Sequence, residues 1–337
     1  MNSMKKLLAL TLAGLMLTIV SGFGTAHAQQ VFRVALVGND EHQFTIGMRH
    51  LDELLQERSD GRMRLELFTN AVLGGDREAF EGVIMGSIDM SMLTSDGVVP
   101  AWIRDVSVLS IPYLFPTRED AYNALDNFLN ARLAPLYEAI GIKHLGFGEL
   151  GFRHFTNNRR PIVNASDMDG LIIRVQEAPI WFALCDALGA VAMPIAFPEL
   201  YTALQQGVVD GQENPLGSIV SMRFFEVQRY LSLNGHTYAA GSVIMNLNRW
   251  NSLSAEDQAM FQDAVNDMVV WQRARIAEMD DEHIRVLLEH GIEIVKEPDI
   301  ASFVEATRNI ADLESVQALF DNPSIIQEVR DFLAGSN

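Results

Sequence analysis

Between Leu171 and Pro215 the chain alternates strand-like and helix-like pieces at a spacing that leaves few folds open. Leu171 to Val175 is a short apolar, β-branched run that predicts a buried strand. Pro179 suits the first turn of a helix over 180–188, which Gly189 ends. Val191 to Met193 reads as a second strand, and Pro198 leads into a second helix over 199–206, stopped by Gly207. Val208 to Asp210 reads as a third strand, left by Gly211-Gln212-Glu213-Asn214-Pro215 as a loop. Strand, helix, strand, helix, strand predicts an α/β fold with a mostly parallel sheet. Ligands of such sheets bind at the carboxyl ends of the strands, and Arg174 and Asn214 lie near such ends. Arg174 is the only charge in its strand. A guanidinium stays charged and is costly to bury unpaired. Arg174 therefore has a carboxylate partner, such as Glu177 or Glu213, or it awaits an anionic ligand.

The N-terminal half repeats the alternation. Val31 to Val37 is a strand, a helix follows over 44–58, and Met63 to Phe68 is a second strand. A helix ending at Met85 and a third strand over 86–92 come next. Glu78 stands eight residues before Gly86, with Asp89 three after it; Glu199, Gly207 and Asp210 repeat the spacing. This predicts two lobes of like construction, with Asp89 and Asp210 capping nearby backbone amides. The proline-broken segment over 109–115 predicts extended chain, 118–140 a helix, and 143–156 strand in which Arg153 lies between aromatics. A helix over 222–230 and strand over 232–236 and 243–247 complete this part.

Ser254 caps a helix that runs without proline to His290, with Gly291 as its stop. Its apolar stripe follows a period near 3.6 rather than a strict coiled-coil seam. At roughly 55 Å it exceeds the width of one lobe, so it is expected to pack on both. His283 and His290 are read as structural.

Lys5 and Lys6, the apolar run over 7–20 and Ala26-His27-Ala28 form a secretory signal, too short to span a bilayer, with cleavage expected after Ala28. The net charge of −19 becomes −21 when the two lysines leave, which argues against nucleic acid or an anionic membrane as partner. Any anion site must be made locally. Cys185 is the single cysteine, so no internal disulfide forms and a core role is expected. No GxSxG, HExxH, phosphate loop or CxxC occurs, and the histidines are scattered, so neither cofactor nor metal is called for. Arg153 and Arg174 on neighbouring strands, with Asn214 after a third, offer carboxylate recognition without a nucleophile or base.

The pieces LGGDREAFEGVIMGSIDM, PYLF, GFRHF, DGLIIRV, LGAVAMP and ELYTALQQGVVDGQENP, with the long helix, resemble the solute-binding proteins of tripartite ATP-independent periplasmic (TRAP) transporters, dicarboxylate-binding type. The resemblance covers nearly all of the mature chain. It implies a two-lobed periplasmic binding-protein fold with hinge strands and one lobe-spanning helix. Residues 29–151 with about 241–270 would form lobe I, and 152–240 with about 271–337 lobe II. It implies that Arg174 grips a substrate carboxylate, with Arg153, Asn214 and Phe197 beside it. Asp76, the Thr94-Ser95-Asp96 loop and Glu41-His42 would read the far end of the substrate. GQENP is similar to members that take sugar acids or keto acids. The expected partners are a small carboxylate solute and a sodium-driven permease, with the protein a periplasmic monomer. A secreted two-domain enzyme acting on a similar acid is the alternative; the lack of an acid–base set favours binding.

Overall fold

The computed structural model describes residues 29–336, so the signal segment and its cleavage site lie outside the described residues. Strands are numbered in chain order. One sheet holds β2 (Met63–Phe68), β1 (Gln30–Ala35), β3 (Met90–Thr94), β10 (Tyr238–Asn246) and β4 (Ile142–Phe152), side by side in that order. The other holds β11 (Glu293–Val295), β9 (Tyr230–Ser232), β5 (His154–Asn157), β8 (Gly211–Asn214), β6 (Ile172–Val175) and β7 (Val191–Pro194). β1 is parallel to β2 and β3, and β6 to β7 and β8. Both sheets are nevertheless mixed rather than mostly parallel. β4 and β5, which carry the chain from one sheet to the other, and β9 and β10, which bring it back, pair antiparallel.

The two lobes share their interior. A large apolar core runs from Leu93 of the first sheet and Phe80 of the Asp76–Met85 helix to Ile173 of the second sheet and Trp181 and Cys185 of the Ile180–Ala187 helix. Cys185 is fully buried, as its place on the apolar face predicted. A second core lies between the first sheet and the Gln43–Arg58 helix, and a third covers the other face of the second sheet. The repeat in the sequence is a repeat in space. The Asp89 carboxylate accepts from the Arg33 amide at 2.8 Å, and the Asp89 amide donates to the Arg33 carbonyl. Asp210 makes the same two bonds with Ile172, the carboxylate accepting at 2.9 Å. Gly86 and Gly207 precede them at φ +76° and +68°, a conformation that glycine adopts without strain.

The long helix spans Ala255–Glu289, with the Ser254 side chain accepting from the Asp257 amide. Its 35 residues reach about 52 Å. Phe261, Val265 and Met268 pack in the first lobe's core, and Leu287 in the second's, beside Leu200 and Phe224. Two polar side chains on its buried face went unnoticed in the sequence. The Gln272 amide donates to the Glu149 carbonyl at 2.7 Å, and its oxygen accepts from the Glu149 amide at 2.8 Å. Arg273 forks onto Asp126 at 2.6 and 2.8 Å.

Several local expectations are corrected. The polar stretch Gly211–Asn214 is a buried strand, not a loop. A Cβ at Gly211 would meet the Thr156 carbonyl at 2.1 Å, so only glycine lets β8 lie against β5 there. The helix expected over 222–230 is instead Leu216–Ser221, ended where Arg223 turns left-handed at φ 56°. The 118–140 helix is divided by a π turn at Leu125–Leu129, which carries Asp126. The 109–115 segment is not uniformly extended, because a 3-10 stretch reaches Ser110. The last helix, Ser324–Ser336, departs from the assignment of 271–337 to the second lobe: Phe332 stacks on Phe128, and Glu328 pairs with Arg132.

Asp89→Ala and Asp210→Ala should each cost about 1–3 kcal/mol, the range for losing a charged partner of a backbone amide. Urea unfolding of the two variants checks this, and the two losses should be alike.

Candidate functional site

A cleft opens where the two sheets face each other, with about 670 Å³ of empty space, its mouth included. Val37, His42, Asp76, Arg77, Glu78 and Thr94 are among the residues lining one wall; Arg174, Gln176, Glu177, Phe197, Asn214 and Ser218 line the other. The second wall is built at the carboxyl ends of parallel strands, where the alternation predicted it.

Arg174 sits inside β6, between Met193 of β7 and Gln212 of β8. Only 3% of it is exposed. Its Nε donates to the Ile195 carbonyl at 2.8 Å, while Nη1 is sealed from solvent with no partner among the described residues. Burial pushes its pKa down to about 10, with Glu213 pulling it up and Arg153 down. It is still a cation at neutral pH, and among the described residues no carboxylate hydrogen-bonds to it. Neither Glu177 nor Glu213 is the partner considered from sequence.

Glu213 belongs to Arg153. The Arg153 guanidinium donates from Nε and Nη2 to the Glu213 carboxylate, the second bond at 2.9 Å, and from Nη2 to the Glu213 carbonyl at 2.7 Å. Nη2 also donates to Asn214 Oδ1 at 3.1 Å, and the guanidinium stands 5.6 Å from the Trp181 ring centre. Burial pushes the Glu213 carboxyl up, but Arg153 and His236, whose Nε2 lies 3.4 Å away, together outweigh it and hold the pKa below the usual range. Arg153 thus departs from the ligand contact expected of it. It is fully buried, does not line the cleft, and positions Asn214, which does.

Asp76 opens the first turn of the Asp76–Met85 helix. The residue is half-buried, but its Oδ1 is out of solvent and without a partner. The helix terminus favours the carboxylate by about 0.3–1 kcal/mol, less than one pKa unit. Burial is larger and pushes the pKa up to about 7; Arg174 opposes this, and Glu177, Glu78 and Asp96 add to it. His42 caps the Gln43–Arg58 helix, its Nδ1 accepting from the Phe44 amide at 3.3 Å. Its Nε2 lies 3.4 Å from Ser218 Oγ, and burial holds its pKa down at about 4, so the ring is neutral. The ring lies over Gly38, where a Cβ would come within 2.2 Å of it. Phe197 meets the His42 ring edge-on at 5.9 Å, closing one side of the cleft. Arg77 reaches across to Glu177 at 3.7 Å.

Besides Arg153, three expected residues are not in the wall. Glu41 is exposed, on the turn before the helix. Ser95 is buried behind the wall, 2.8 Å from Ser242 Oγ. Asp96 is likewise fully buried, with neither carboxylate oxygen hydrogen-bonded among the described residues and its pKa raised by burial to about 6. Their neighbours Thr94 and Gly97 do line the cleft. Sequence reasoning missed Gln176, Glu177, Arg77 and Ser218. The first two directly follow the strand of Arg174, where a parallel sheet presents its ligand groups, so that signal was available.

The chain matches the family of bacterial extracellular solute-binding proteins, family 7, over residues 34–316. It belongs to that family. A solute-binding protein of Verminephrobacter eiseniae is 35% identical over 84% of this chain and 84% of its own. The 2,3-diketo-L-gulonate-binding periplasmic protein of Escherichia coli is 32% identical over 89% of this chain and 90% of its own. A TRAP periplasmic solute-binding protein of a Polaromonas species, bound to D-erythronate, superposes with a TM-score of 0.81 at 32% identity, covering 86% of this chain and 98% of that one. The family-7 chain described here therefore has the two-lobed fold and the periplasmic solute-binding role that the resemblance implied.

The two arginines should respond oppositely in the free protein. Arg153→Met strands the buried Glu213 charge and should cost about 3–5 kcal/mol. Arg174→Met removes an unpartnered buried charge and should leave stability unchanged or raised. Urea midpoints without ligand check this; equal losses would overturn the division of roles.

Proposed function

We propose that the cleft binds a hydroxylated monocarboxylate, a sugar acid or a related hydroxy acid, and presents it to a TRAP membrane permease. The carboxylate sits on Arg174 and the hydroxyls face Asp76, Glu78 and Glu177. The carrying observation is the orphaned Nη1 of Arg174, a buried donor without a partner among the described residues, in a cleft whose other lining cation, Arg77, is drawn to Glu177. A planar fork on a carboxylate satisfies that donor with two bonds. A second carboxylate would meet acidic side chains. The D-erythronate and 2,3-diketo-L-gulonate named for two relatives fit this chemistry. Asn214 and Gln176 supply neutral donors and acceptors beside the anchor. The same reading has the protein exported with cleavage after Ala28, as Ala26-His27-Ala28 suggests, and binding its acid without converting it.

A thermal-shift screen tests the reading, since a ligand that binds the folded state raises its melting temperature. D-erythronate, galactonate and related monoacids should stabilise the protein at concentrations where succinate does not. Arg174→Ala should weaken binding by roughly 30-fold to several thousand-fold. Arg174→Lys should lose most of the affinity, because an ammonium cannot make the fork. Tight succinate binding with no response to the sugar acids would overturn the assignment.

A further inference from the structure

We propose that Asp76 selects which acids the cleft accepts, by entering the complex as an uncharged carboxyl that donates to the ligand, so that a hydroxy monocarboxylate binds together with one proton. This rests on Arg174 being the carboxylate anchor. The two groups line the same cleft, and each holds one buried polar atom without a partner: Nη1 of Arg174 and Oδ1 of Asp76. In the empty cleft each charge partly offsets the other.

A ligand carboxylate on Arg174 removes that offset. The groups that still face Asp76 are Glu177 at the end of β6, Glu78 on its own helix, and Asp96 behind the wall, all acidic. Arg77 is drawn to Glu177, and the His42 ring is neutral, with Nδ1 accepting from the Phe44 amide. An ionised Asp76 would then have no compensating cation. A protonated one satisfies the cleft: its hydroxyl donates to a ligand oxygen and its carbonyl oxygen still accepts. The step balances simply. The carboxylate of Asp76, a proton from solvent and the ligand anion give the neutral acid and the bound anion, and the complex keeps the net charge of the empty cleft. A dianion would need a second proton or would face Glu78 and Glu177, so monocarboxylates are preferred.

Burial already holds the Asp76 carboxyl up at about 7 against the pull of Arg174. Neutralising Arg174 raises it further. Above neutral pH, binding must draw the proton from solvent, and affinity falls as pH rises. Below about pH 6 Asp76 carries its proton before the ligand arrives, and the uptake vanishes.

The test is titration calorimetry of the full mature chain with D-erythronate, and with galactonate, in buffers of different ionisation heat. At about pH 8 the heats should report close to one proton taken up per ligand, and at about pH 5.5 close to none. Between about pH 7.5 and 9 the Kd should rise by up to tenfold per pH unit. Asp76→Asn should abolish both the buffer dependence and the pH slope, whereas Asp96→Asn should keep them. Binding of either acid at pH 8 without proton uptake overturns the proposal, and the wild type alone decides this if a variant fails to fold. Persistence of the slope in Asp76→Asn also overturns it. If neither acid binds, the reading of the cleft falls and this inference falls with it.

Discussion

The buried ion pair between Arg153 and Glu213 is the interaction on which the rest of the structure depends. Arg153 occupies the single residue between β4 and β5, where the chain leaves one sheet for the other. Its amide donates to the Thr237 carbonyl and its carbonyl accepts from the His236 amide, so the outgoing and returning segments are tied at the same point. Its side chain then pins β8 through Glu213 and sets the angle of Asn214. A fully buried arginine is costly to leave unpaired. Pairing this one with Glu213 takes away the carboxylate that would otherwise neutralise Arg174.

The charge left over is what the proposed function uses. Two arginines and one fully buried carboxylate meet at this end of the second sheet, and geometry gives the carboxylate to the arginine at the crossing. Arg174, which lines the cleft, keeps one backbone acceptor and a buried donor without a partner among the described residues. Burying it unpaired costs stability in the empty protein, and in the proposed complex a ligand carboxylate would recover that cost. In that proposal a chain of net charge −19 would hold an anion through local, aimed donors rather than a long-range field.

Contacts around the cleft and at the crossing differ in kind. Across the mouth the lobes touch through His42 on Phe197, Gly75 near Pro198 and the half-exposed Arg77–Glu177 pair. A half-exposed pair of this kind is worth little. At the crossing, Glu149 is held by Gln272, Arg118 and Tyr122, and Gln43 donates to the Leu150 carbonyl at 3.2 Å. Opening at the mouth about a fixed crossing is the motion these contacts favour, and weakly held contacts are where local opening begins.

The sequence by itself determined the alternating α/β units, the capping role of Asp89 and Asp210, the length of the 255–289 helix and the place of Arg174 at a strand end. These follow from local periods, caps and short spacings, which need no knowledge of distant contacts. It also carried the family likeness through contiguous motifs. Only the tertiary structure decided that GQEN is a buried strand, that Glu213 serves Arg153 rather than Arg174, and that Ser95 and Asp96 lie behind the wall while Glu177 and Ser218 line it. Polar residues read as loop because loops are where polar groups reach water; here Arg153, 60 residues away in sequence, supplies the partner instead. Pairings over such separations leave no periodic trace in the chain. They are fixed when the two sheets meet.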